Sequence, residues 1–372
     1  MMISNQTSRM DVVYSDQFSE SAADPSLPPG FVTFHRSNFC TYFGLTPDEF
    51  RGRSVLETGA GPGKHAAVLC LLGAHVTAVD LLESNVRAIE RLKTQHAFEH
   101  LVVRQADLTQ PLPDELGRFD LISSHNWLMH SEDPRRVLEL LADRLNVGGR
   151  FYLSLYEAGT FRFFITQVAR RVLAWEDRDV LKALIPFHFP SGFLEFSNAG
   201  DIYFENILDD FFVPYIWTFR YEPLVRFFKG LGFSVLVPHA EDEALYAIDN
   251  EALKVGFIKT AERSSGLGSL ECGFDEFALT HVRDAQARAL MAESAEWAVR
   301  AIAVLREGSD ASLRAAFCLG LYRLRGACSR SRGVEERHRA LQDYLRRVAT
   351  GDMSSIRAQA SSRQFFAQRA DA

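Results

Sequence analysis

Apolar positions between residues 54 and 155 fall into short continuous runs that alternate with helix-period stretches. Val55-Leu56 leads into Glu57 and a glycine-rich turn, after which an apolar helix is predicted over His65–Leu72, broken at Gly73. His75–Val79 reads as a strand ending in Asp80, a helix follows from near Ser84, and Leu101–Arg104 reads as the next strand. Phe119–Ser123 is a fourth strand. Asp133-Pro134 opens a helix through Leu145, Gly148-Gly149 turns the chain, and Phe151–Leu155 is a fifth strand. Strands and helices in this alternation predict an α/β fold, a parallel sheet covered by helices on both faces. Farther on, Tyr221–Gly232 reads as an amphipathic helix, Phe233–Val237 as a strand and Val255–Thr260 as a last strand.

The turn after the first strand carries the most specific chemistry. Gly59, Gly61 and Gly63 alternate with Ala60 and Pro62, and each glycine can take a positive φ that lets a ligand approach backbone at the start of a helix. A dinucleotide fingerprint of the GxGxxG type would need glycine at position 64, where Lys64 stands. Glu57, two residues before the first glycine, would repel a pyrophosphate but attract an ammonium or sulfonium group. The spacing Glu57-x-Gly59-x-Gly61-x-Gly63 resembles the first motif of class I S-adenosylmethionine-dependent methyltransferases. Asp80 sits about twenty residues past the glycines at a strand tip, placed to accept ribose hydroxyls; the competing role is a helix N-cap.

The resemblance implies further roles. Asp107, after the third strand, matches the acidic residue that bonds the adenine amino group, although an aspartate leading toward Pro111 and Pro113 also suits a turn. Ser124 to His130 matches the fourth motif, which borders the methionine part of the cofactor and the acceptor. The implied S-adenosyl-L-methionine site is Glu57, Gly59, Ala60, Gly61, Asp80, Leu81, Asp107, Leu108 and His125. An acceptor that carries a proton needs a general base, for which His130, His125 and Glu157 are candidates; Trp127, Tyr156 and His188 are candidate pocket residues. A hydrogen-bonded structural role for His130 competes with the catalytic one. The implied fold is a three-layer, Rossmann-like, mostly parallel seven-stranded sheet, with an aromatic helical lid insertion and a C-terminal helical appendage.

The strand tip at Ser124-His125-Asn126-Trp127 lacks the Asn/Asp-Pro-Pro-aromatic tetrapeptide of amino-methyltransferases acting on DNA bases or protein glutamine. It also lacks the cysteine that cytosine C5 methylation needs. The expected reaction is therefore methyl transfer to O or N of a small, aromatic or hydrophobic metabolite. Two alternatives stay open: an RNA methyltransferase that docks RNA on C-terminal arginines, and a catalytically inactive cofactor-binding interaction protein.

Length sets the domain plan. A chain of 372 residues exceeds one such sheet domain. The expected parts are an N-terminal arm (1–30), a core (31–261) with the lid insertion at 157–220, a linker (262–275) and a helical region (276–372). The insertion holds twelve Phe and Trp residues between Phe161 and Trp217. Tail helices are predicted over Asp284–Glu307, Ser312–Arg325 and Val334–Val348, the last with an apolar stripe of Val334, His338, Leu341, Leu345 and Val348.

Charge is uneven: the net value is −7, yet from Ala311 onward there are twelve arginines and no lysine against five acids. That basic tail is either a solvated helix face, an RNA dock or a homodimer contact. Five scattered cysteines without metal-type spacing point to free thiols and imply no metal site. Neither a leader peptide nor a membrane anchor is read at the start, so the expected location is cytoplasmic.

Overall fold

The computed structural model describes residues 12–13, 26–188, 193–197, 200–203, 205–238, 252–262, 270–273, 285–308, 310–329, 334–354 and 356–357. Most of the expected N-terminal arm, residues 263–269 and 274–275 of the expected linker, Phe189 and Phe204 lie outside these. In chain order the first elements are α1 (Pro29–Phe43), β1 (Ser54–Thr58), α2 (Lys64–Leu71), β2 (His75–Asp80), α3 (Glu83–His96) and β3 (Leu101–Gln105). Then come β4 (Phe119–His125), α4 (Pro134–Asp143), β5 (Leu145–Tyr156), α5 (Phe161–Val172), α6 (Arg178–His188) and α7 (Glu205–Phe212). The chain continues with α8 (Tyr221–Gly230), β6 (Phe233–Val237), β7 (Ala252–Lys259), α9 (Ala285–Glu307), α10 (Ala311–Ser329) and α11 (Val334–Ala349).

These elements form two compact units, the first comprising residues 1–157, 214–241 and 252–274. Its seven strands lie in the order β3-β2-β1-β4-β5-β7-β6. The first five run parallel, and β7 is antiparallel to both β5 and β6. The central strands are nearly continuous apolar runs because both faces are covered; in β1, Val55 and Leu56 are fully buried. The β1 strand therefore delivers its C-terminal residues, Glu57 and Thr58, into the interior at the middle of the sheet.

The strand predicted over Phe151–Leu155 is longer than expected. The pair Gly148-Gly149 does not end an element but lies within β5, where Gly148 has φ 84° and the register against β4 shifts. An irregularity of this kind accommodates the extra residues while the strand continues. At the far edge Phe228 of α8 stacks on Phe257 of β7, centroids 4.0 Å apart. The buried Lys259 donates to the carbonyls of Ala142, at the end of α4, and Leu145, at the start of β5, at 3.0 and 2.9 Å.

The second unit comprises residues 158–213, 242–251 and 275–372. The expected insertion and the expected C-terminal helices fall in this one unit, where α10 packs against both α5 and α6 of the inserted segment. Burial supplies the reason. Phe163, Phe164, Phe211 and Phe212 are buried, as are Phe317, Leu321 and Tyr322 of α10, and the Phe211 and Tyr322 rings meet edge-on at 5.7 Å. Asp210, 1% exposed, accepts from Arg162 at 2.8 Å and from the Tyr322 hydroxyl at 3.1 Å, with Arg325 3.8 Å away. Arg314 forms a two-pronged bond with Asp177 at 2.6 and 2.8 Å. The stripe predicted on α11 is buried at His338, Leu341, Leu345 and Val348. No helix among the described residues is long and apolar enough to cross a membrane.

Candidate functional site

The site is built where β1 ends. Gly59, Gly61 and Gly63 all take positive φ (57°, 53° and 88°), so the chain reverses sharply between β1 and α2. Two bonds pin this loop to β2: Ala60 N donates to Val79 O at 3.0 Å, and Gly61 N donates to Asp80 Oδ2 at 2.8 Å. The other Asp80 oxygen accepts from Leu82 N at 2.9 Å and from Asn85 Nδ2 at 3.1 Å. Asp80 is thus a buried bracket between the glycine loop and the start of α3. Burial raises its pKa, and the hydrogen bonds from Leu82, Asn85 and Gly61 work against that rise. It is not the N-cap of α3, a position held by Leu82.

Glu57 is 1% exposed, and its Oε2 has no hydrogen-bond partner among the described residues. Desolvation pushes its pKa up to about 8, only partly opposed by the Ser123 side chain. A carboxyl group in this condition is poised to accept a cation, and it lies one residue before the turn.

Trp127 roofs the loop. Its indole N–H donates to Thr58 Oγ1 at 2.9 Å, and Thr58 in turn donates to Ser123 O at 2.9 Å, which locks the ring across β1 and β4. A Cβ on Gly59 would lie 2.2 Å from the indole, so ring and turn fit only because position 59 is glycine. Asn126, just past β4, takes φ 52°, and its Oδ1 accepts from Ser154 at 2.7 Å. His130 is 3% exposed; its Nδ1 faces Tyr215 O at 3.1 Å, a carbonyl, so Nδ1 carries the proton. The ring meets Tyr156 edge-on at 5.7 Å. Glu157 is half-buried and bridges through its backbone to Phe219.

The remaining predicted residues are distributed as follows. Leu81 is half-buried, its carbonyl accepting from Gln105 Nε2 at 3.0 Å, and Leu108 is buried. Asp107 is exposed past β3, and its Oδ1 accepts from Thr109 N at 2.9 Å and Thr109 Oγ1 at 2.7 Å, the turn role that competed in the sequence. His188 belongs to the second unit, where burial lowers its pKa to about 4. The sheet unit therefore gathers Glu57, Asp80, His125, Trp127, His130 and Tyr156 from strand ends and the turns after them, but not His188.

Two residues that sequence reasoning passed over belong here. His35 in α1 and His65 in α2 stand beside His125, with the His65 and His125 rings 4.3 Å apart and those of His35 and His65 4.4 Å apart. His65 was in view as the end of the glycine motif, but nothing in the spacing of three separated histidines foretells their meeting.

The residues of the loop suit S-adenosylmethionine: an orphaned buried carboxyl oxygen for a positive group, a positive-φ glycine turn and an acid at the next strand tip. Residues 56–153 match the family model described as "Methyltransferase domain". A ubiquinone biosynthesis O-methyltransferase of Xanthomonas euvesicatoria is 28% identical over 126 residues, 34% of this chain and 52% of that protein. The Maricaulis maris protein of the same name is 26% identical over 147 residues, 39% of this chain and 58% of that one. The chain spans little more than half the length of these curated relatives. Among solved structures, the N-terminal domain of EvdMO1 with SAH bound aligns at 24% identity and TM-score 0.30, covering 37% of this chain and 51% of that one.

Proposed function

We propose, from the premise that this chain carries a class I S-adenosylmethionine-dependent methyltransferase domain, that it methylates a hydroxyl oxygen of a small hydrophobic molecule. The observation that carries the reading is Glu57: a buried carboxyl with an unpartnered oxygen directly below a positive-φ glycine turn. Glu57 would hold the cofactor's ammonium group, and its ionisation would be restored by that charge. Asp80 would hold the ribose while keeping its grip on Gly61 and Leu82, and Leu81, Leu108 and Asp107 would border the base. Bound S-adenosylmethionine supplies a methyl group on a positively charged sulfonium, which leaves as a neutral thioether.

The protein's own contribution is positioning and proton removal. Trp127 and Tyr156 would set aromatic rings beside the β4 tip, suited to a positively charged sulfonium and to an apolar acceptor. His130, protonated at Nδ1 by its bond to Tyr215 O, carries its lone pair on Nε2. In this reading Nε2 would take the proton of the acceptor hydroxyl. The likeness to proteins named O-methyltransferases supports oxygen over nitrogen. A second reading, RNA methylation through the C-terminal arginines, loses support because Arg314 and Arg325 are engaged with Asp177 and Asp210 inside their own unit.

The test is incubation of the full chain with methyl-deuterated cofactor and a cell metabolite extract, an RNA fraction in parallel, with mass spectrometry for labelled products. A labelled small molecule that disappears with Asp80→Ala is expected. Cofactor binding with no labelled product from any fraction would overturn the proposal, and label in RNA alone would replace it with the second reading.

A further inference from the structure

We infer that His35, His65 and His125 form a divalent transition-metal site of three imidazole ligands, with its remaining coordination positions open to an exogenous ligand. The three come from α1, the first turn of α2 and the end of β4, all within the sheet unit. One ligand nitrogen from each lies within 4.8 Å of the other two. Zinc held tetrahedrally at roughly 2.0–2.1 Å sets its ligand nitrogens about 3.4 Å apart, so the rings need close by no more than roughly 1.5 Å.

A second observation points to a ligand. His35 Nδ1 and His65 Nε2 have no hydrogen-bond partner among the described residues, and His35 is only 8% exposed. His125 makes only long hydrogen bonds, its Nδ1 3.4 Å from Tyr152 Oη and its Nε2 3.4 Å from Asn126 Nδ2. Three rings whose only purpose was packing would be better served by phenylalanine, which the surroundings already supply in Phe31 and Phe39. An unpartnered nitrogen on each of two buried imidazoles, gathered with a third, is what a metal ligand set looks like before the ion arrives.

Electrostatics fit the same conclusion. Burial, then mutual repulsion and the charge of Lys254, lowers His35 to about 2; burial and Lys254 lower His65 to about 4, and burial with its two histidine neighbours holds His125 well below its ordinary value. The lone pairs are thus free of protons at neutral pH, the state that binds metal. Lys254 is the opposing charge, a buried ammonium whose field lowers all three. A donor set of imidazoles alone favours Zn²⁺, Co²⁺, Ni²⁺ or Cu²⁺ over Mg²⁺ or Ca²⁺. The site is argued independently of the methyl-transfer reading.

The experiment is calorimetric titration of the chelator-treated full chain with Zn²⁺, and of the same protein with Co²⁺ followed by its visible absorption. One ion per chain is expected, with Co²⁺ bands of low-symmetry nitrogen coordination and no competition from millimolar Mg²⁺. His35→Phe, His65→Phe and His125→Phe should each weaken Zn²⁺ by at least about tenfold, since losing a ligand costs no less than losing a ligand's supporting partner. Lys254→Met should tighten it, a gain that misfolding cannot imitate. Absence of stoichiometric binding to the wild type, affinity unchanged in the three phenylalanine variants, or displacement by Mg²⁺ would each overturn the assignment.

Discussion

Replacing Glu57 by glutamine should stabilise the ligand-free protein, and more so as pH rises. The carboxyl is 1% exposed and its pKa is raised from 4.5 to about 8, so the folded chain holds the proton more tightly than the unfolded chain. The sign follows from linkage: between these two values the folded state binds more protons, and stability falls as pH rises. At 1.36 kcal/mol per unit of pKa difference, the penalty grows from about 1 kcal/mol at pH 5 to about 4 kcal/mol at pH 8. Glutamine has no such titration, and the cost of burying its amide is the same at every pH. At about 2–4 °C per kcal/mol, the midpoint gap between Glu57→Gln and wild type should widen by roughly 10 °C over that range.

Thermal unfolding of both ligand-free proteins at several pH values measures this. The same variant should bind S-adenosylmethionine more weakly, because the cation that restores ionisation loses its partner. Wild-type binding at pH 7 should release close to one proton, detectable by calorimetry in buffers of different ionisation enthalpy, and the variant should release none. A midpoint gap that is constant with pH, or equal proton release by the two proteins, would refute the reasoning.

Gly59→Ala puts a methyl 2.2 Å from the Trp127 indole at φ 57°, and cofactor affinity by calorimetry should fall at least about tenfold; unchanged affinity would mean that the turn tolerates a side chain. Asp210→Ala strands Arg162 and Arg325 without their buried carboxylate and should destabilise the second unit by about 3–5 kcal/mol in urea unfolding, against which a loss under 1 kcal/mol would count. The two arginines hold the Asp210 pKa below its ordinary value despite burial, so its stabilisation persists at neutral pH and is lost as pH falls below the usual carboxylate range. His130→Gln should lower kcat by about 10²–10⁴ with little change in KM for a hydroxyl acceptor, and an unaltered kcat would leave His130 a purely structural residue.

Much of the sheet unit was legible because its signals are local. An apolar run ending in an acid, three glycines at alternate positions and an acid at the next strand tip lie within the span from Val55 to Asp80, and each obeys short-range sterics. The alternation of strands and helices likewise foretold a parallel sheet covered on both faces, while the central place of β1 came only from the structure. The Gly148-Gly149 pair misled because two glycines signal a turn as readily as they permit an irregular strand. Asp107 could not be ranked either: a residue after a strand tip has the same local sequence whether it meets a ligand or caps Thr109.

The aromatic insertion shows a different limit. Its density of rings was plain in the sequence, but which surface they cover depends on a partner more than a hundred residues away, and Tyr322 and Leu321 of α10 answer that question. The arginines of the tail likewise had a sign but no address until Asp177 and Asp210 were found opposite them. The expectation of no metal site rested on cysteine spacing, a rule about ligands near one another in the chain.

The amino-acid sequence by itself thus determined the alternation of strands and helices, the glycine turn and the acids that flank it, because backbone freedom and hydrophobic period act between neighbours. Only the tertiary structure decided that Glu57 is left with an unpartnered oxygen, that the insertion and the tail share one core, and that His35, His65 and His125 converge. Desolvation and convergence are properties of the space that distant segments enclose, and no window along the chain contains them.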